Sequence, residues 1–87
     1  MIITKKIVAD KILSCLQHKL TLSELVGWAE NAVMEGEFDE NDFELINDIV
    51  SKLGLADVRA FGLLWEDCEY YLKKLGYNVR VEASFVA

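Results

Sequence analysis

The 87-residue sequence has no proline, a single histidine and two cysteines, and its nine basic residues are outnumbered by fifteen acidic ones. Each scarcity narrows what the chain can do. Without proline, and with no serine-rich or low-complexity tract, there is no linker at which to divide it, and a chain of this length supports one core. Residues 1–87 are therefore expected to form a single domain.

One histidine leaves metal and nucleophile chemistry poorly supplied. Cys15 and His18, three residues apart, are the only pair with ligand-like spacing, whereas tetrahedral zinc needs four ligands, or three and a water. No activating signature surrounds Cys15 or Cys68 for a cysteine–histidine hydrolase. The two cysteines allow at most one disulfide, and both fall on apolar positions of expected helices, where a reduced cysteine is a small core residue. A calcium loop starting at Asp39 fails by spacing, because Phe43 and Glu44 fall where the motif needs an oxygen ligand and a glycine. No metal and no cofactor are expected. Long apolar runs are absent too: none approaches the ~20 residues that cross a bilayer, and the start at Lys5-Lys6 lacks a signal-peptide core. The expectation is a soluble, cytoplasmic protein without membrane contact.

What the chain does have is apolar content, at 53% of residues with 28% charged. That composition folds rather than staying disordered. Its net charge of −6 is unevenly spread. Residues 1–20 carry Lys5, Lys6, Lys11 and Lys19 against Asp10, and residues 55–87 are close to balanced. Between Glu30 and Asp48 there are eight carboxylates and no basic residue. Such a field repels phosphate backbones and attracts a basic protein surface, so direct nucleic-acid binding is disfavoured.

Glycine supplies the punctuation. Gly36, Gly54, Gly62 and Gly76 each close an apolar-periodic stretch, and Gly54 suits a left-handed helix stop with Leu55 packing back behind it. The first helix starts after Thr4 as N-cap and runs to about Gln17, with Val8, Ile12, Cys15 and Leu16 on one face. Thr21-Leu22-Ser23-Glu24 spells a capping box with Leu20 and Leu25 as a hydrophobic staple. It predicts a second helix over Leu22–Glu35 that buries Leu22, Leu25, Val26, Ala29, Ala32 and Val33.

A third helix is expected from Asp39 as N-cap, with Phe38 and Phe43 as staple partners and Phe43, Ile46, Ile49, Val50 and Leu53 as its stripe. Leu55 to Gly62 suits a short turn. A fourth helix, about Leu64 to Leu75, sets Trp65, Cys68, Leu72 and Leu75 on one side. Tyr77 to Glu82 then alternates apolar and polar at the strand period. Its partners are the Ile2-Ile3 stretch, the helices against which Val79 and Val81 would lie as a tail, or a strand from another chain. The fold class is mainly α: a compact bundle of four helical segments with a short C-terminal strand or extended tail.

Function rests on the acidic middle. Glu30, Glu37, Glu40, Glu44 and Asp48 recur at spacings that project several of them from the outer faces of helices two and three, and Asp39 joins them as a candidate contact. Like charges four apart, such as Glu40 and Glu44, are mildly unfavourable, and tolerating them without nearby cations fits a partner that supplies the cations. The competing account is an ordinary solubilising face. Trp28, at the margin of its stripe, and Tyr70, which cannot face the core together with Tyr71, are the candidate aromatic anchors.

The run Ile12-Leu13-Ser14-Cys15-Leu16-Gln17-His18-Lys19-Leu20-Thr21-Leu22-Ser23-Glu24-Leu25, one amphipathic helix leading into a capped second, resembles the opening of the colicin D-type immunity proteins. The likeness covers roughly residues 12–53. More broadly, the chain is similar in size and pattern to small bacterial helical proteins. The immunity resemblance implies a short helical bundle that blocks the basic active site of a toxic ribonuclease with acidic side chains. It carries over no individual residue. The resulting expectation is a non-enzymatic module that binds a basic protein, as an immunity protein or antitoxin does to its toxin. The alternative is a structural or assembly subunit, homodimeric through the C-terminal edge. A third class, a small enzyme built on Cys15, Cys68 or paired carboxylates, lacks any supporting motif.

Overall fold

A computed structural model describes residues 2–57 and 63–79. Among them the order is β1 (Ile2–Ile3), α1 (Lys5–Leu16), α2 (Leu22–Glu35), β2 (Glu37–Phe38), a 3-10 turn (Glu40–Asp42), α3 (Phe43–Leu53) and α4 (Trp65–Lys74). The mainly helical expectation is met, with four α-helices around one core. Ile12, Leu25, Ile46, Ile49, Leu53 and Leu72 are its largest fully buried side chains, so all four helices contribute. No described helix is long and apolar enough to cross a membrane.

Local signals set the helix starts. The Ile7 amide donates to Thr4 Oγ1 at 3.3 Å, capping α1. At α2 the Glu24 amide donates to Thr21 Oγ1 and the Thr21 amide to Glu24 Oε1, both at 3.1 Å, so two otherwise unpaired donors are satisfied reciprocally. Hydrogen bonding to the carboxylate from the Thr21 backbone amide, and then from the Thr21 side chain, holds the Glu24 carboxyl below its usual pKa. α4 has half of that device. The Leu64 amide donates to Asp67 Oδ2 at 2.9 Å, but leucine offers no side-chain acceptor in return.

The helix ends are less conventional. α1 closes in a Schellman motif, in which the His18 amide reaches Cys15 O at 3.1 Å and the Lys19 amide reaches Ser14 O at 2.9 Å. The left-handed position of that motif, usually glycine, is His18 at φ 60°. α4 ends in the same way with the usual residue: Gly76 has φ 97°, and Tyr77 N–H bonds Leu72 O at 2.9 Å. Gly54 departs from its expected left-handed stop. Its φ of −66° is right-handed, and the chain continues through two further turn bonds, Leu55 N–H to Lys52 O and Ala56 N–H to Leu53 O.

The strand at the start of the chain finds a partner that periodicity did not suggest. Ile2 and Ile3 pair in parallel with Glu37 and Phe38, across both intervening helices. Burial explains the choice, since Ile3 is only 5% exposed and joins the core. Gly36 is required for this approach. A Cβ there would stand 2.6 Å from Ile3 Cδ1 and 2.6 Å from Ala32 O. Tyr77–Val79 has no strand pairing and packs Tyr77 and Val79 against the core, as the extended-tail alternative has it. The rest of the expected C-terminal strand, residues 80–82, and most of the Leu55–Gly62 turn lie outside the described residues.

The same pairing moves the start of α3. The Asp39 amide donates to Ile3 O at 3.0 Å, which keeps this stretch tied to the strand, and the Asp39 carboxylate accepts from the Asn41 amide at 3.0 Å. Asp39 thus caps a 3-10 turn. Asp42, at φ −128° and ψ 24°, breaks it from the α-helix, which begins at Phe43. Several stripe positions are also wider than the contact they serve. Leu22, Val33, Phe43 and Trp65, expected inside, are exposed.

Candidate functional site

The β2-to-α3 connection gathers most of the expected acidic contacts. Glu37, Glu40 and Glu44 are exposed, and Asp39 is half-buried by its capping role. Two neighbouring hollows of about 310 Å³ and 510 Å³ open here and share Glu40 and Asn41. Ile2 and Glu37 line the first; Phe43 and Glu44 line the second. The apolar members are exposed in the middle of the charge, Ile2 at 56% and Phe43 at 51%.

Phe43 does meet Phe38, with ring centroids 5.8 Å apart and planes tilted by 49°. The staple contact therefore forms while Phe43 remains half-exposed. An aromatic ring within a rim of carboxylates is a suitable composition for an interface anchor. Pattern reading missed Phe43 and Ile2 as surface groups because a staple partner and a strand residue both read as core.

The acidic field is less bare than the sequence suggests. Lys5, at the start of α1, reaches Asp42 Oδ1 at 3.6 Å, and Lys52 reaches Asp48 Oδ2 at 3.2 Å. Asp48 is thereby engaged within its own helix. Its neighbour also feels it, since the Asp48 carboxylate raises the Lys52 pKa. The Lys52–Asp48 pair is solvent-exposed and the Lys5–Asp42 pair only half-buried at a long 3.6 Å, so each contributes little to stability, ~0–1 kcal/mol.

The remaining expected contacts lie elsewhere. Glu30 lines a separate groove between α2 and α3. Trp28 is half-buried against the core, lines another hollow with Ile3, Asn31 and Glu35, and has Lys11 Nζ 5.7 Å from its ring centroid. Tyr70 is exposed, as expected for one of the adjacent tyrosines, with Lys74 Nζ 5.5 Å from its ring centroid and the Tyr71 centroid 6.0 Å away in a T-shaped arrangement. The structure thus brings together Glu37, Asp39, Glu40 and Glu44. It leaves Trp28, Glu30 and Tyr70 apart from that turn.

No family model, curated protein or solved structure matches this chain. The site's chemistry has to be read from its own groups. Among the described residues no group of three or more His, Cys, Asp or Glu side chains is arranged to hold a metal ion. Burial pushes the Cys68 thiol up to about 11 and also raises Cys15. At neutral pH Cys68 is protonated and a poor nucleophile. What the acidic turn presents is exposed negative charge around a partly exposed apolar ring.

Proposed function

We propose that this chain is a non-enzymatic protein-binding module whose acidic turn holds a basic protein surface, acting as an immunity protein or antitoxin acts on its toxin. The observation that carries the reading is the half-exposed Phe43 ring standing beside Glu40 and Glu44, with Glu37 and Ile2 in the adjoining hollow. The ring supplies a desolvated anchor, while the carboxylates steer a cationic partner and fix its register. The resemblance of residues 12–53 to the immunity proteins gives the same direction. The net charge of −6 adds long-range attraction for such a partner.

The test is capture of partners on immobilised protein, comparing the wild type with the triple variant Glu37→Gln, Glu40→Gln, Glu44→Gln and with Phe43→Ala. A basic protein held at low salt, released by about 0.5 M salt and lost with either variant is the expected result. Inhibition of that protein's own activity then tests the antitoxin role. Equal retention by wild type and triple variant would remove the acidic turn from the account.

A further inference from the structure

We propose that the groove between α2 and α3 is a second docking site, which takes an amphipathic helix of another protein carrying a lysine or arginine beside its apolar ridge. Val33, Met34 and Leu55 line this groove of about 380 Å³, together with Glu30, Ser51 and Gly54. Its apolar walls face water: Val33 is 48% exposed, Leu55 42% and Met34 79%. Three large apolar side chains converging on one concavity differ from singly scattered ones, which need no explanation. Methionine is also well suited to a wall that must adapt to an incoming side chain.

Gly54 gives the second line of argument. It lies in the right-handed helical region at φ −66° and ψ −15°, where any residue is at ease. A Cβ there would meet nothing nearer than Ser51 O at 3.5 Å. Neither backbone nor packing calls for glycine, although glycine has an entropic cost relative to alanine in a helical conformation. What its missing side chain does provide is an open groove wall. Glycine is used where a backbone and a ligand approach closely.

Charge selects the occupant. Glu30 extends over this wall, its Cγ 3.8 Å from where a Gly54 Cβ would stand, and no lysine or arginine is among the described residues lining the groove. A helix with an apolar ridge fills the walls, and a cation beside the ridge meets Glu30. A second copy of this chain fits less well, because a two-fold contact places the patch against itself, and its described lining carries Glu30 but no lysine or arginine to pair with it. The site is separate from the acidic turn and does not depend on the function proposed for that turn.

The probe is a synthetic helical peptide with leucines at i, i+3, i+4 and i+7 flanked by lysines, against a control with glutamates in place of the lysines. Methyl NMR signals of Val33, Met34 and Leu55 report on the groove. Saturable shifts are expected with the lysine peptide and not with the control. Glu30→Gln should weaken binding roughly two- to fivefold, as for an exposed ion pair. Gly54→Leu, which the backbone accommodates, should abolish binding with the helical circular dichroism unchanged. The acidic-turn triple variant should bind the peptide as wild type does. No shifts at about millimolar peptide would overturn the proposal, as would equal binding of both peptides. So would shifts that follow protein concentration alone, or nuclear Overhauser contacts showing the groove already filled by the free protein's own chain.

Discussion

Replacing His18 by glycine should make this protein more stable. His18 occupies the left-handed position of the motif that ends α1, at φ 60°. For a residue with a Cβ that conformation costs ~1–2 kcal/mol, and glycine escapes the cost but loses ~0.5–1 kcal/mol through its freer unfolded state. The balance is a gain of about 0–1.5 kcal/mol. His18 is exposed, so its removal sacrifices little burial. For a domain of this size each kcal/mol moves the melting midpoint by about 4–8 °C, well within the reach of circular dichroism. His18→Val supplies the opposite sign, because a β-branched residue tolerates positive φ worse than histidine does. Glycine should raise the midpoint and valine lower it. If glycine lowers it, or both variants shift it in the same direction, the left-handed turn is not what closes α1.

Two further outcomes follow from the helix start and the core. Leu64→Ser should complete the missing half of the α4 cap and add about 1 kcal/mol, measurable by urea unfolding; little burial is lost, since Leu64 is 65% exposed. A destabilised variant would show that the Leu64 side chain does more than occupy the cap. The Cys68 thiol, raised to about 11 by burial, keeps its proton in the folded state at pH values where the unfolded thiol ionises. Its contribution is therefore fully present below the ordinary thiol value near 9 and is lost progressively as pH climbs from there toward 11. Wild type should lose of order 2 kcal/mol over that window, and Cys68→Ala should lose less. Parallel pH curves for the two proteins would contradict the burial of the thiol.

Where the sequence was legible, the signals were local. The reciprocal hydrogen bonds of Thr21 and Glu24 lie within one turn, and α2 spans Leu22–Glu35 as their spacing predicts. α3 starts later than expected because the competing interaction comes from far along the chain. Asp39 is bound to Ile3, and no window around residue 39 contains that information. Period also identifies which residues share a face, but not how far the neighbouring helix reaches across it. Leu22, Val33 and Phe43 fall on correct stripes yet beyond the edge of the packing. The glycine rule failed in both directions, since Gly54 is right-handed and His18 takes the conformation usually reserved for glycine. The clustering of Glu37, Asp39, Glu40 and Glu44 was visible as composition. The exposed Phe43 and Ile2 that make it a shaped surface were not.

The hydrogen bond from Asp39 to the carbonyl of Ile3 makes the acidic turn depend on a strand of two residues at the opposite end of α1 and α2. A ladder so short is a natural place for local opening without global unfolding. Whenever β1 detaches, the turn loses the anchor that sets its shape, even though the four helices remain packed. Hydrogen exchange at the Asp39 amide would therefore time how often the acidic turn dissolves and re-forms.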